Sequence, residues 1–208
     1  MKLHYCGKFD GNEASLPCGT HRPGAVRFRE PEPKKFTLIA NLGALALAAL
    51  LLVPFLWRGQ AAFSAKTPIH LWIACGLFWL ALIPHELMHA SCFRGDVYLY
   101  TWLKRGALFV VGPEDMSKRR FVFMSLLPNL VLGVLPFLVF LIWPAVTAAG
   151  MFGLIAIASG FGDYINVFHA LTQMPKGART YLHGFHSYWY LPQSGADGCA
   201  PPEKTEKK

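Results

Sequence analysis

Two stretches of this chain, Phe36–Trp57 and Phe121–Trp143, run for 22 and 23 residues without a charged side chain. A helix that crosses a bilayer needs about 20 apolar residues in a row, so each is long enough to span. Two further segments, Ile69–Phe93 and Ala145–Leu171, are apolar over most of their length. The first carries His85, Glu86 and His89 near its end, and the second stays uncharged until Asp163. Composition agrees: 15% of the 208 residues are charged, against about 25% in a soluble domain. The expected fold class is an all-α membrane protein with about four transmembrane helices.

The basic residues give the expected orientation. Eighteen of the 20 Lys and Arg fall in the N-terminal segment, the loop between the second and third apolar segments, or the tail. Arg58 and Lys66, in the first loop, are the other two. Positive charge collects on the cytoplasmic side, which predicts a multi-pass protein of the cell membrane with both termini cytoplasmic. The chain then divides into a cytoplasmic segment 1–35, a membrane core 36–171 and an interfacial tail 172–208. The first 35 residues are polar, so no signal peptide is expected. The net charge of +8 thus follows from topology. The expected partner is the lipid bilayer and not nucleic acid, because no basic patch with interleaved aromatics stands free of the membrane. Oligomeric state has no signature in the sequence.

Within the middle loop, Asp96–Leu103 and Ala107–Val111 are rich in β-branched and aromatic residues and are separated by Lys104-Arg105-Gly106. That pattern predicts a short β-hairpin-like loop between helices two and three. The tail mixes Tyr181, Phe185, Tyr188, Trp189 and Tyr190 with His183 and His186, as a segment at headgroup level does. Its Lys/Glu/Pro end, Pro201–Lys208, is expected to be disordered.

The chemistry concentrates in His85-Glu86-Leu87-Met88-His89. Two His four residues apart share one helix face and can hold one metal ion, with Glu86 between them as general base. Ionisable groups inside a spanning helix are expensive and default to functional roles. A catalytic zinc site wants three protein ligands plus water. Asp163 is the leading third ligand: His85 lies 16 residues beyond Ile69, and Asp163 lies 16 beyond Thr147. At the helical rise both sit roughly 24 Å down helices that run the same way. Gly160 and Gly162 beside it permit close helix approach. Asp163 could instead cap a helix or pair with Lys176 or Arg179, and His169, His183 and His186 are weaker alternatives for the third ligand. Pro128 and Asn129 interrupt the third span, either as a plain kink or to bring the Asn129 amide to a substrate backbone. Cys6 and Cys18, with His4 and His21 nearby, loosely suggest a cytoplasmic metal clip, but their spacing matches no strong rule and reduced free thiols are the favoured reading.

The order of these features resembles the intramembrane site-2 zinc proteases. More closely, the chain resembles the zincin peptidase family of small bacterial membrane proteins of unknown function. The resemblance rests on Met1-Lys-Leu-His-Tyr-Cys-Gly7, Pro23-Gly-Ala-Val-Arg-Phe28, His85–His89, Gly162-Asp163 and Met174-Pro-Lys-Gly-Ala178. It implies His85, His89 and Asp163 as ligands of Zn2+ and Glu86 as the catalytic base. Two features depart from the site-2 pattern: Asp163 precedes Tyr164 where those enzymes usually have Gly, and Pro128-Asn129 lies one span earlier than their Asn-and-Pro signature. The expected function is a membrane-embedded zinc metalloendopeptidase that hydrolyses peptide or membrane-protein substrates near the cytoplasmic face. The competing class is a non-catalytic metal-binding regulator or chaperone-like protein. Glu86 argues against it, because a pure binding site does not require a base. A transporter fares worse still, since one polar cluster near one face makes no path across.

Overall fold

The computed structural model describes residues 1–58, 66–102 and 106–192. The polar N-terminal segment contributes strands β1 (Lys2–Lys8) and β2 (Val26–Arg27), with one 3-10 turn at Glu13–Ser15 between them. Helices α1 (Pro33–Arg58) and α2 (Thr67–Ser91) follow, then strands β3 (Asp96–Trp102), β4 (Ala107–Val111) and β5 (Met116–Ser117). The chain continues as α3 (Lys118–Pro128), a π-helical turn (Asn129–Val134), α4 (Leu135–Ile142), α5 (Thr147–Ser159) and α6 (Phe161–Gln173). Strands β6 (Arg179–His183) and β7 (His186–Tyr190) close it.

Three helical runs are each long and apolar enough to cross a membrane: Pro33–Trp57, Thr67–Ser91 and Lys118–Ile142. Their outer faces carry large exposed apolar side chains such as Leu45, Trp72 and Leu80. Helices without a water-facing polar stripe are of the kind that meets lipid. Inside, Phe55 of α1 stacks on Phe140 of α4 at 4.1 Å between ring centres. Facing α4 and the π turn, α5 presents Gly150 and Gly153. A Cβ at Gly153 would lie 2.7 Å from both the Gly133 carbonyl oxygen and the Phe137 nitrogen. Only a residue without a side chain lets the two backbones come this close.

An all-α fold with about four spans is corrected in two respects. First, seven strands form two sheets, ordered β1-β3-β4 and β2-β7-β6-β5. The predicted hairpin is there, pairing Tyr98 with Val111 through to Trp102 with Ala107. It is one part of a sheet in which β1 adds in parallel on the far side of β3, Lys2 beside Asp96 and Tyr5 beside Leu99. The tail folds as a second hairpin, Arg179 opposite Tyr190 and His183 opposite His186, flanked by β2 and β5. Phe9 joins the sheets, with ring contacts to Tyr100, Trp102 and Phe109 on one and to Phe185 in the turn of the other. Second, the fourth apolar segment is not one continuous span. It breaks at Gly160 into α5 and α6, bent by 47°, and only the pair together meets the length and composition of a span. The disorder expected at Pro201–Lys208 lies outside the described residues.

Both sheets fasten to the helix ends. Glu114 accepts the Arg94 and Gly95 N–H groups and pairs with Arg120 at 2.6 Å. Asp115 pairs with Arg179 at 2.9 Å. Burial pushes both carboxyls up, yet these bonds more than offset it and hold them below the usual carboxylate range. Lys118 donates to the Leu171 and Met174 carbonyls at the end of α6, where an ammonium also meets the negative end of the helix dipole.

The glycine seam predicts a paired result. Gly153→Ala should lower thermal stability in detergent by about 1–3 kcal/mol, the usual cost of overpacking. Gly76→Ala, with nothing within 4 Å of the added carbon, should leave it unchanged. Equal melting of both variants would contradict the seam.

Candidate metal centre

His85 and His89 sit one turn apart in the last two turns of α2, on the same face. Their Nε2 atoms are 3.1 Å apart. Asp163 faces them from α6: Oδ2 lies 3.6 Å from His85 Nε2, and Oδ1 lies 3.6 Å from His89 Nε2. Among the described residues, these three form the group whose metal-ligating atoms all lie within 4.8 Å of one another. The spacing suits zinc. Ligands about 2.0–2.1 Å from a tetrahedral ion are about 3.3–3.4 Å from each other. The donor set, two imidazoles and a carboxylate, is also one that zinc accepts.

Neighbouring groups orient the three. His89 Nδ1 lies 2.9 Å from the Met124 carbonyl of α3. A carbonyl accepts only, so Nδ1 carries the hydrogen and Nε2 is left bare for a metal. Asn129 Nδ2 donates to Asp163 Oδ2 at 2.9 Å and toward the Ser125 carbonyl at 3.4 Å. Both partners are acceptors, which fixes the direction of the amide. Asn129 thus positions a carboxylate, not the substrate backbone suggested for it above. It is 3% exposed, and it reaches Asp163 from the first residue of the π turn, a local widening that recurs at functional sites.

Gly160 is what lets Asn129 in. A Cβ there would sit 1.7 Å from Asn129 Oδ1. The same glycine ends α5 and begins α6, so Asp163 falls in the first turn of a helix, not midway along one. A carboxylate is favoured at that positive end. Gly162, by contrast, meets only the Phe36 ring at 4.0 Å, an ordinary contact.

The Glu86 carboxyl is half-buried beside Asp163 and meets the backbone N–H of Val110 on β4. A small cavity of about 20 Å³, room for a water molecule, opens beside His85. Phe78, Leu82, Asn129, Leu132 and Ser159 are among its walls.

The other candidates lie elsewhere. Arg179 pairs with Asp115, not with Asp163. His169 packs against Phe28 and Phe168. His186 binds Glu30 and Arg27, and His183 stacks near His21. The Met124 carbonyl and Val110 N–H went unnoticed because backbone groups have no sequence signature.

Two His and an Asp that converge on one point at the ends of long apolar helices make a group that could hold a metal ion. Residues 78–179 match the protein family described as "Putative zincin peptidase". The matched stretch begins about two helical turns before His85 and ends at Arg179, so it takes in His85, Glu86, His89, Asn129 and Asp163. No curated protein and no solved structure matches the chain.

If Asn129 positions Asp163, then Asn129→Ala should weaken zinc affinity by about 10–100-fold, the usual effect of losing such a partner. The melting profile of the zinc-free protein should change less than that of Gly153→Ala. Competition with a chelator of known strength measures the affinity. Unchanged affinity would leave the amide a packing role only.

Proposed function

We propose that the chain is a membrane-embedded zinc endopeptidase that cleaves peptide bonds near the cytoplasmic face, with His85, His89 and Asp163 as metal ligands and Glu86 as the catalytic base. The observation that carries the reading is the spacing of the three ligand groups, 3.1 to 3.6 Å, with a carboxyl beside them that the ligand set does not use.

When bound, zinc supplies Lewis acidity, which acidifies water toward a pKa of about 7 and polarises a peptide carbonyl. The rest falls to side chains of this chain. Glu86 takes the proton of the attacking water on its carboxylate and delivers it to the departing amine nitrogen. His89, held by Met124, and Asp163, held by Asn129, keep their ligating atoms fixed while this happens. The apolar walls around His85 keep bulk water from the reacting carbonyl.

Substrate arrives as an extended strand in this reading. β4 is an edge of its sheet and packs against α2. Its Val110 backbone N–H acts on the Glu86 carboxyl. An unwound peptide added there runs past the base. Unwinding is a requirement, because a membrane helix keeps its backbone bonds internal.

Topology enters the same proposal. The N-terminal segment, the middle loop and the tail share the two sheets, so they lie on one side of the membrane. That side carries nearly all the Lys and Arg, which supports reading it as the cytoplasmic side of the cell membrane.

Glu86→Gln is the test. It should abolish cleavage of a membrane-peptide substrate, a drop of at least about 100-fold for loss of general base catalysis, while zinc content stays at the wild-type level. Cleavage at the wild-type rate by that variant would exclude the mechanism. A cellular phenotype that survives Glu86→Gln but not His85→Ala would favour a non-catalytic metal protein instead.

A further inference from the structure

The N-terminal segment between Leu16 and Ala25 has no strand or helix, yet it lies across one face of the β6–β7 hairpin. Cys18 sits at the hairpin tip, where its Sγ accepts the Gly184 N–H at 3.3 Å. Three residues on, the His21 ring stands 5.3 Å from the His183 ring, centre to centre, and 5.0 Å from that of Tyr188. Next, the Arg22 backbone N–H donates to the Tyr181 hydroxyl at 3.1 Å, and the Arg22 guanidinium lies over Tyr190. In the register of the hairpin, His183, Tyr181, His186 and Tyr188 share one face. This is the face that the segment covers.

Three metal-ligating side chains therefore gather at the tip: Cys18, His21 and His183. The first two are exposed to entering ions. His183 Nδ1 is shut off from solvent without a hydrogen-bond partner, an arrangement that costs free energy unless something else engages the nitrogen. His21 Nδ1 lies 3.1 Å from the Tyr181 hydroxyl. That oxygen has two lone pairs and can accept from both the Arg22 N–H and an Nδ1–H. The tautomer so favoured leaves His21 Nε2 bare, as second partners of metal-binding His do. A fourth donor is at hand: Glu13 Oε2 lies 3.3 Å from where a Cβ on Gly184 would be.

We propose that Cys18, His21 and His183 form a second metal site, a zinc clip that fastens the N-terminal segment to the β6–β7 hairpin. The interval Cys18-Gly-Thr-His21 is of the short kind with which structural zinc sites chelate from one stretch of chain, and one thiolate with two imidazoles is a donor set that zinc takes. Glu13 or a water completes four-coordination. The donor atoms do not yet converge as those of the His85 group do. The site closes by rotation of the Cys18 and His183 side chains over an unchanged backbone. A bound ion ties together residues 165 positions apart, from Cys18 to His183, and its binding free energy adds to that of folding. The partners shift from those the sequence pairs most readily. His4 stacks on Tyr98 and faces Asp96 on the other sheet, and Cys6 lies on β1 with it, so His183 takes their place beside Cys18.

Cobalt titration of the metal-free, full-length protein in detergent tests the clip. A thiolate–cobalt bond gives a charge-transfer band in the near ultraviolet, which the nitrogen and oxygen donors of His85, His89 and Asp163 cannot produce. The expected result is that band in the wild type, its retention in His85→Ala with about one ion per chain, and its loss in Cys18→Ser and in His183→Ala. Cys6→Ser and Cys92→Ser should leave it in place. No band in wild-type protein that still melts cooperatively would overturn the proposal, as would a band that persists in Cys18→Ser. Neither outcome depends on peptidase activity or on the first metal centre.

Discussion

An acidic side chain inside an apolar helix bundle must be met by partners at its own depth, and the bond between Asn129 and Asp163 is where this chain meets that requirement. Burying an unpaired carboxylate costs several kcal/mol even after relaxation. Here Oδ2 takes the Asn129 amide, and both oxygens face imidazoles. The partners impose conditions of their own. Asn129 can reach Asp163 only through the space above Gly160, and that glycine is also the break that turns α6 away from α5. The π turn that begins at Asn129 sends the chain into α4, whose close packing on α5 in turn needs Gly150 and Gly153. A polar requirement at one point thus selects the small residues along a whole helix seam.

The two sheets do a different job. They tie three separate stretches of chain into one layer at the helix ends, and they bring β4 to the end of α2 that bears Glu86. A metal centre confined to helices has no means of holding an extended peptide, because its backbone groups are spent within each helix. A sheet edge has unspent ones. Placing such an edge beside Glu86 brings together two capabilities that neither layer has alone.

Much of this was legible in the sequence, and the illegible part has a common physical cause. Uncharged runs and an i, i+4 pair of His are local signals, so α1, α2 and the shared face of His85 and His89 could be read directly. The hairpin of β3 and β4 was local as well. β1 was not: it pairs in parallel with a strand more than 90 residues away, and its Lys, Cys and Gly show no strand-like alternation. β2 and β5, at two residues each, are too short to leave a pattern. The tail aromatics lie on β6 and β7 and in the turn between them, with Tyr181 opposite Tyr188, a pairing that needs the partner strand to be known. In the fourth apolar segment, hydropathy was blind to the break at Gly160, because a bend changes no residue's polarity. Asn129 was conspicuous, but its partner was not, since a hydrogen bond between two helices depends on how they pack.

Asn129 and Asp163 meet at one depth because of how their helices are anchored. α3 begins right after β5, and α6 ends just before β6, and these two strands pair, Ser117 beside Arg179 and Met116 beside Thr180. Ser117 also caps α3 through the Arg120 N–H. Asn129 lies 12 residues beyond Ser117, and Asp163 lies 10 residues before Gln173. At 1.5 Å per residue Asn129 stands roughly 18 Å from Ser117, and Asp163 roughly 15 Å from the end of α6 at Gln173. The Lys118 ammonium, bonded to the Leu171 and Met174 carbonyls, locks the two helices at that end. The register of a hydrogen bond deep among the helices is therefore set outside them. A slip of one residue between β5 and β6 would move Asn129 past Asp163 by more than a hydrogen bond can stretch, and the carboxylate would lose the partner that holds it toward the two His.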